Sequence, residues 1–407
     1  MMDEEKIVKD IVSGQIKLYE VEKHVDNDND KATELRRRAI EKLTGQDLKQ
    51  IGHHNIDLKQ ALKANIENCI GVAQIPMGIT GPLKVNGNFA KGEYYIPLAT
   101  TEGALVASVS RGISVINACG GAFAHVLKSG TTRGPVCRVD SLDKAKEVMD
   151  WVAKNKKKIK EIAEKTDPFI KFSDIESYLV GKNLFLRITY DTGDAMGMNM
   201  VTVASDSVMS FLEDKFKLKH IALSGNMCID KKPSALNMIK GRGKSVIAEV
   251  TIPRELVEKK LKCTPEAFAD VCYRKNWVGS GLAGAYGFNS HFGNIVGAMF
   301  LATGQDEAHI TEGSHGFTTA EVNDDGDLYV AITAPSLMVG TIGGGTMLGT
   351  QKEALSMMGC WGPGKTPGAN AKTFAEILGS VLLAGELSLL GALAARHLTQ
   401  AHVRLNR

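Results

Sequence analysis

The period of the apolar positions changes repeatedly along the chain, and each change predicts a new kind of element. Residues 1–66 are highly charged, with a helix start near Asp30 and an apolar stripe through Leu35, Ile40 and Leu43, which predicts a small helical N-terminal domain. From Glu67 to Gly81 the sequence ENCIGVAQIPMGITG is apolar and punctuated by Gly and Pro, so strands and tight turns open a main domain there. TTEGALVAS leads from a polar start into a helix, and RGISVINACGGAF continues as a glycine-rich, closely packed segment to about Phe123. Then Val136–Val139 reads as a short strand, Asp143–Lys165 as an amphipathic helix, Asn183–Tyr190 as an alternating strand, Ala195–Phe216 as a second helix and Ile221–Leu223 as strand-like. These elements make a compact α/β unit over 134–222, inserted between 67–133 and 223–407 of the larger domain. In the last part Ser245–Ile252 is a strand, Pro265–Tyr273 a helix, Gly279–Gly304 a small-residue helical region and Leu328–Thr333 a strand. A long helix from about Ala369 to His402 closes the chain. Strands and helices alternate without a repeated βαβ period, so the fold class is α+β.

Within that last helix, Ile377–Ala395 is long and apolar enough to suggest a membrane span. It carries Glu386 and many Gly, Ala and Ser residues, which favours a buried helix of a large core or a subunit interface. Glu386 itself reads either as the buried partner of a cation or as part of an interface. A net charge of +3 with pI near 8.3 gives no overall basic field, so neither nucleic acid nor an anionic membrane is expected as a partner. Seven cysteines at 69, 119, 137, 228, 263, 272 and 360 show no CxxC and no zinc spacing, as in a reduced, cytoplasmic chain. The N-terminus MMDEEKIVKD lacks the apolar core of a signal peptide.

Candidate chemistry concentrates in Leu223–Glu249. Asp230, Lys231 and Lys232 stand together there, with Ser224 and Asn226 before them and Pro233 after. Adjacent ammonium groups repel, so they lie side by side where solvent, a carboxylate or an anion offsets the cost. SALNMIK continues as a helix start. GSGLAG at Gly279–Gly284 matches the dinucleotide fingerprint by letter but follows a helix, PEAFADVCYRKN, where the fingerprint needs a strand. GRGKS at Gly241–Ser245 lacks the earlier glycine of a phosphate loop, because position 238 is Met238. A better anion site lies at Thr192–Met200, where a strand turns through TGD into a helix start; Asp194 there is a cap or a ribose partner. NKKKIK at Asn155–Lys160 reads as a solvated helix face. His397 and His402 do not share a helix face, and no metal site is indicated. Taken alone, Glu102, Asp306 and His402 read as a cap, a loop acid and a surface histidine.

Five blocks, however, follow one another in a familiar order: TTEGALVAS (Thr100–Ser108), GDAMGMNM (Gly193–Met200), DKKPSALNMIKGRGKSV (Asp230–Val246), GQDEAH (Gly304–His309) and AGELSLLGALAARHLTQAH (Ala384–His402). Together they resemble the 3-hydroxy-3-methylglutaryl-coenzyme A (HMG-CoA) reductase family, over about Glu67 to near the end of the chain. The likeness is to its first class, in a soluble, archaeal type. It implies a large domain around a long central helix, a small inserted ferredoxin-like cofactor domain, NADPH as cofactor and a cytoplasmic homodimer, in some cases a tetramer, with its active site between subunits. The implied reaction reduces HMG-CoA to mevalonate and coenzyme A by two hydride transfers.

Residue by residue, the resemblance makes Lys231 the oxyanion stabiliser, His402 the proton donor to the departing thiolate, and Glu102, coupled to Asp306 and Lys231, the acid of the second reduction. Substrate binding is implied for Ser108, Arg133, Ser224, Asn226, Asp230, Lys232, Lys275, His291 and Asn294. Arg133 with Lys232 or Lys275 would clamp the free carboxylate of the substrate. Cofactor binding is implied for Asp194, Met196, Gly197, Met198 and Asn199 and for Gly343 and Gly344, with Arg187 the candidate for the extra phosphate. Ser110 and Ser114 stand where eukaryotic relatives carry Asn and Arg near coenzyme A, a departure that bears on those contacts. A non-catalytic sensor that keeps the same pockets is the rival reading, and the joint presence of Glu102, Lys231, Asp306 and His402 argues against it.

Overall fold

Runs of alternating branched and polar residues build eleven strands, arranged as two joined sheets in the computed structural model, which describes residues 3–395. In the larger sheet β1 (Met77–Gly87) and β2 (Lys91–Ala99) form an antiparallel hairpin. The order continues from β1 through β3 (Ala122–Arg133), β8 (Gly243–Ile252), β11 (Leu328–Leu337) and β10 (Gly316–Val322) to the short β9 (Gly287–Phe288). β3 serves both sheets. Its residues Phe123–Gly130 pair with β8, whereas Thr131–Arg133 pair with β6 (Asn183–Asp191) of the smaller sheet.

The smaller sheet belongs to a βαββαβ unit. β4 (Val136–Arg138), β5 (Lys171–Val180), β6 and β7 (Lys219–Ala222) lie in the order β7-β4-β6-β5 with every pair antiparallel, the ferredoxin-like arrangement. One face packs Leu184, Leu186, Ile188 and Tyr190 of β6 against Val148, Val152, Ile159 and Leu212 from the helices, a core separate from that of the larger sheet. The ends of the unit meet, since the Gly225 N–H donates to the Gly134 carbonyl at 2.6 Å.

Several expected elements are revised. The helix expected over Asp143–Lys165 is two, Leu142–Lys154 and Lys156–Ala163, because the backbone turns at Asn155, whose side-chain amide donates to the Trp151 carbonyl. The second helix of the unit begins at Met198 rather than Ala195. The region Gly279–Gly304 is broken by β9 before a helix resumes at Phe292–Thr303. At the N-terminus the helix Asn29–Thr44 buries Ala32, Leu35, Arg36 and Ala39, while Leu43 of the expected stripe is exposed. Arg36 is accepted into that core because its Nε donates to the Leu18 carbonyl and its guanidinium pairs with Glu22.

The helix Ala369–Ala394 runs through the core of the larger unit and packs on β3, β8 and β11 and on the helix Leu105–Ala118. Its apolar window has a mean hydropathy of 1.9, enough to cross a membrane, yet 83% of that window is buried inside the fold. Gly112 allows the two helices to approach, since a Cβ there would overlap the Ala384 carbonyl. Two buried glutamates on the central helix hold neighbouring chain in place. Glu376 accepts from the backbone N–H groups of Phe89, Ala90 and Val126. Glu386 accepts from those of Ser290 and His291, from Thr318 Oγ1 at 2.8 Å and from the Asn276 amide. Among the described residues its partners are neutral donors and not a cation.

Candidate active site

The loop between β7 and the helix Ala235–Lys240 is shaped by three non-glycine residues in the left-handed region, Asn226 (φ 67), Ile229 (φ 51) and Lys231 (φ 58). Each such residue costs roughly 1 kcal/mol or more, so surrounding bonds must hold the loop. They come from several elements. Thr132 Oγ1 donates to the Cys228 carbonyl at 2.9 Å, the Asn237 amide donates to the Ile229 carbonyl, and the Lys231 N–H donates to Glu312 Oε1 at 2.7 Å.

This shape divides the two lysines. Lys231 Nζ lies 2.8 Å from Asp306 Oδ2, while 42% of its side chain remains exposed. Lys232 is exposed and folds back to donate to the Asp230 carbonyl. Asp306 also accepts from the Ala308 N–H as a helix cap. Burial raises the Asp306 carboxyl, but the Lys231 hydrogen bond and the His309 charge outweigh it and hold it below its ordinary value.

Beneath the lysines lies a buried ionic cluster. Asp230 meets His309 Nε2 at 2.9 Å, Arg242 Nη2 at 3.1 Å and Arg133 Nη1 at 3.6 Å. Burial opposes the charged form of Asp230, yet the His309 hydrogen bond and the Arg242 charge hold its carboxyl well below the usual carboxylate range. Arg242, fully buried, also meets Glu312 Oε1 at 2.8 Å and places Nη2 2.9 Å from the Met198 sulfur. Burial pushes the Glu312 carboxyl up against the pull of His309, the Lys231 N–H and Arg242. Asp230, His309 and Glu312 stand close enough to ligate a metal, but the Arg242 guanidinium already bridges the two carboxylates. Sequence reasoning missed Arg242, His309 and Glu312 as site residues, although the first two lie inside the quoted blocks GRGKS and GQDEAH.

The remaining expected site residues fall in several places. Ser224 faces Cys228 Sγ at 3.4 Å in the same loop as the exposed Asn226. Lys275 and Asn294 are exposed, and His291, whose N–H is held by Glu386, keeps Nε2 buried without a partner among the described residues. Ser108 Oγ donates to Ser388 Oγ at 2.9 Å, which ties it to the central helix. Glu102 is exposed at the start of the helix Leu105–Ala118; among the described residues, no hydrogen bond or ion pair joins its side chain to Lys231 or Asp306. His402 lies outside the described residues. Of the two departures near the expected coenzyme A contacts, Ser110 bonds Thr80 and Ser114 accepts from Lys260 Nζ at 2.6 Å.

The Thr192–Met200 turn meets the glycine cluster, as Ala195 bridges Ile342 and the Thr341 N–H donates to the Asp194 carbonyl. The helix that begins at Met198 has no side-chain cap, and Gly197 precedes it at φ 91. Met196 and Met198 are half-buried, Asn199 is exposed, and Gly343 and Gly344 are exposed with no neighbouring atoms around them. Free N–H groups therefore face open space, the local chemistry that suits a phosphate. Two expected cofactor residues are held by contacts within this chain. Asp194 is 5% exposed, and its carboxylate accepts from the Gly364, Gly368 and Ala371 N–H groups, each at 3.0 Å. It caps the central helix, the first of the two alternatives read from the sequence, and both of its oxygens accept backbone N–H groups. Arg187 is 3% exposed; its Nη1 and Nη2 are held by Glu176 and the Gly241 carbonyl, while its Nε has no partner among the described residues.

Comparison with known proteins follows the same residues. The family described as hydroxymethylglutaryl-coenzyme A reductase matches residues 32–407. A protein of Pyrococcus abyssi named 3-hydroxy-3-methylglutaryl-coenzyme A reductase is 57% identical over 100% of both chains. One of that name from Methanocaldococcus jannaschii is 52% identical over 98% of each, and one from Hevea brasiliensis is 42% identical over 100% of this chain and 71% of its own. Among solved structures, the class II 3-hydroxy-3-methylglutaryl-CoA reductase of Streptococcus pneumoniae bound to NADPH aligns with a TM-score of 0.67 at 19% identity, over 88% of this chain and 96% of the other. That last likeness is one of fold.

Proposed function

The chain belongs to the hydroxymethylglutaryl-coenzyme A reductase family and is an enzyme, and from that premise we propose that it reduces HMG-CoA to mevalonate and free coenzyme A, oxidising two NADPH. The observation that carries this reading is the Lys231–Asp306 pair, an ammonium oriented by a carboxylate at 2.8 Å yet still open on one side. Reduction of a thioester and then of an aldehyde builds negative charge on the same substrate oxygen twice. Lys231 donates to that oxygen in both reductions. In the first, the carbon–sulfur bond breaks and the thiolate takes a proton, which His402 supplies near neutral pH. In the second, Glu102 gives the proton to the alkoxide.

The acyl end fits the cluster beneath the lysines. Arg133 keeps a buried Nε without an acceptor among the described residues, and the exposed Lys232 ammonium, which gives one hydrogen bond to the Asp230 carbonyl, has further donors for the substrate's carboxylate. The cofactor reading fits the uncapped N–H groups at Met198 and Asn199 and the open Gly343–Gly344 backbone; NADPH supplies a hydride when bound there. Met196 and Gly197 shape the same turn. We place Glu102 of a second copy opposite Lys231, in a cytoplasmic homodimer. The absence, among the described residues, of any hydrogen bond or ion pair from the Glu102 side chain to Lys231 or Asp306 supports that arrangement, as do the exposed Leu282 (90%) and Ile239 (83%).

Loss of NADPH absorbance with HMG-CoA as substrate tests the activity directly. Lys231→Ala should reduce turnover at least about a hundredfold, the scale of a lost oxyanion donor, while substrate binding is largely kept. Near-normal turnover in that variant would remove Lys231 from the mechanism.

A further inference from the structure

The catalytic loop is held by a closed circuit of contacts. Lys231 Nζ reaches Asp306 at 2.8 Å. His309 stands between Asp306, 3.8 Å from Nδ1, and Asp230, 2.9 Å from Nε2. Arg242 joins Asp230 to Glu312 at 3.1 and 2.8 Å. Glu312 returns to the start through the Lys231 peptide N–H at 2.7 Å. Lys231 is thus gripped by its side chain and by its backbone, and the backbone grip falls on a residue at φ 58.

We propose that Glu312 is a positioning residue for the reduction: its Oε1, by accepting from the Lys231 N–H, fixes the left-handed turn that aims the ammonium at Asp306 and the substrate oxygen. This rests on the reading of Lys231 as the oxyanion donor. Glu312 has no exposed surface, and no other acceptor among the described residues bonds the Lys231 N–H. Without that acceptor a half-buried donor loses its partner and the strained φ loses its counterweight, so the backbone relaxes toward the right-handed or extended region. Lys231 Nζ then leaves its place. A displacement near 1 Å at a reacting group costs about a hundredfold in rate. The grip on the acyl end is less affected, because Asp230 keeps His309 and Arg133. Oε1 is the atom that matters; Oε2 is buried with no partner among the described residues. An uncharged acceptor at the same place should therefore serve.

The test compares Glu312→Ala and Glu312→Gln, assayed with HMG-CoA and with mevaldehyde. Glu312→Ala should lower kcat about a hundredfold with both substrates and move KM less than about threefold, since Lys231 serves both reductions. Glu312→Gln keeps a carbonyl acceptor and should stay within about threefold of the parent enzyme. A purely structural role would not split kcat from KM in this way, nor allow rescue by glutamine. If Glu312→Ala does not fold, Glu312→Met fills the same space without an acceptor and takes its place; if neither folds, the glutamine variant decides. Parental kcat in the alanine or methionine variant overturns the proposal, and so does a glutamine variant as slow as alanine. Undiminished turnover in Lys231→Ala is a different failure, since it ends the role of the lysine itself.

Discussion

At Asp230 three cationic or hydrogen-bonding side chains converge on one carboxylate, and the acid dependence of stability follows from that. Its folded carboxyl titrates below the unfolded value near about 3.9, so the stabilisation it gives is complete above that value and is lost as pH falls through the folded one. Asp230→Asn should cost about 2 kcal/mol near neutral pH, the scale of lost hydrogen bonds to a charged group since Arg242 keeps Glu312, and the gap from the parent protein should shrink below about pH 4. Urea unfolding at about pH 7 and about pH 3 measures both; a gap of constant size would mean that the Asp230 charge contributes nothing. Residue types in this loop were legible because Asp230, Lys231 and Lys232 sit together in one ordered block. Their partners were not. Glu312 lies 81 positions from Lys231, and nothing in a lysine codon announces a left-handed φ. The partners of Asp194 and Arg187 were hidden for a related reason, since a helix cap and Glu176 come from distant parts of the chain.

Among the elements, the central helix depends on small residues where another helix crosses it. Alanine is about 1 kcal/mol better than glycine inside a helix, so Gly112→Ala would stabilise an isolated helix. Here the added methyl meets the Ala384 carbonyl, and overpacking of this kind typically costs about 1–3 kcal/mol. The collision should win, giving a net loss in denaturant midpoint at unchanged m-value; a rise in midpoint would show that the helices can separate freely. The long helices, β4, β6, β8 and β11 were readable because their apolar periods are clean. β5 was not, because Asp174 and Glu176 interrupt its alternation and its register shifts between Phe172 and Asp174. Asn155 hid its break for the opposite reason, since the buried positions Val148, Val152 and Ile159 continue a helical spacing across it.

For the whole molecule, the decisive relation is between Glu102 and Lys231. If the site is completed across a subunit boundary, a dimer of one Glu102→Gln and one Lys231→Ala chain holds one intact site. Mixing the two inactive proteins under subunit exchange should then restore about a quarter of parental activity, because about half the dimers are mixed and each has one working site of two. No recovery after demonstrated exchange would place both groups in one chain. The dual pairing of β3 was not legible, because a strand's sequence does not name its neighbours. That pairing, with the Gly134–Gly225 bond, bears on the cost of loop closure during folding. β3 and β8 are separated by more than a hundred positions, a long loop to close, and the closure must precede any reward from their pairing. Once the βαββαβ unit has formed, its ends stand one hydrogen bond apart, and the chain between the two strands is effectively shortened to roughly twenty residues. Prior folding of the small unit would therefore lower the entropic cost of closing the central sheet of the larger one.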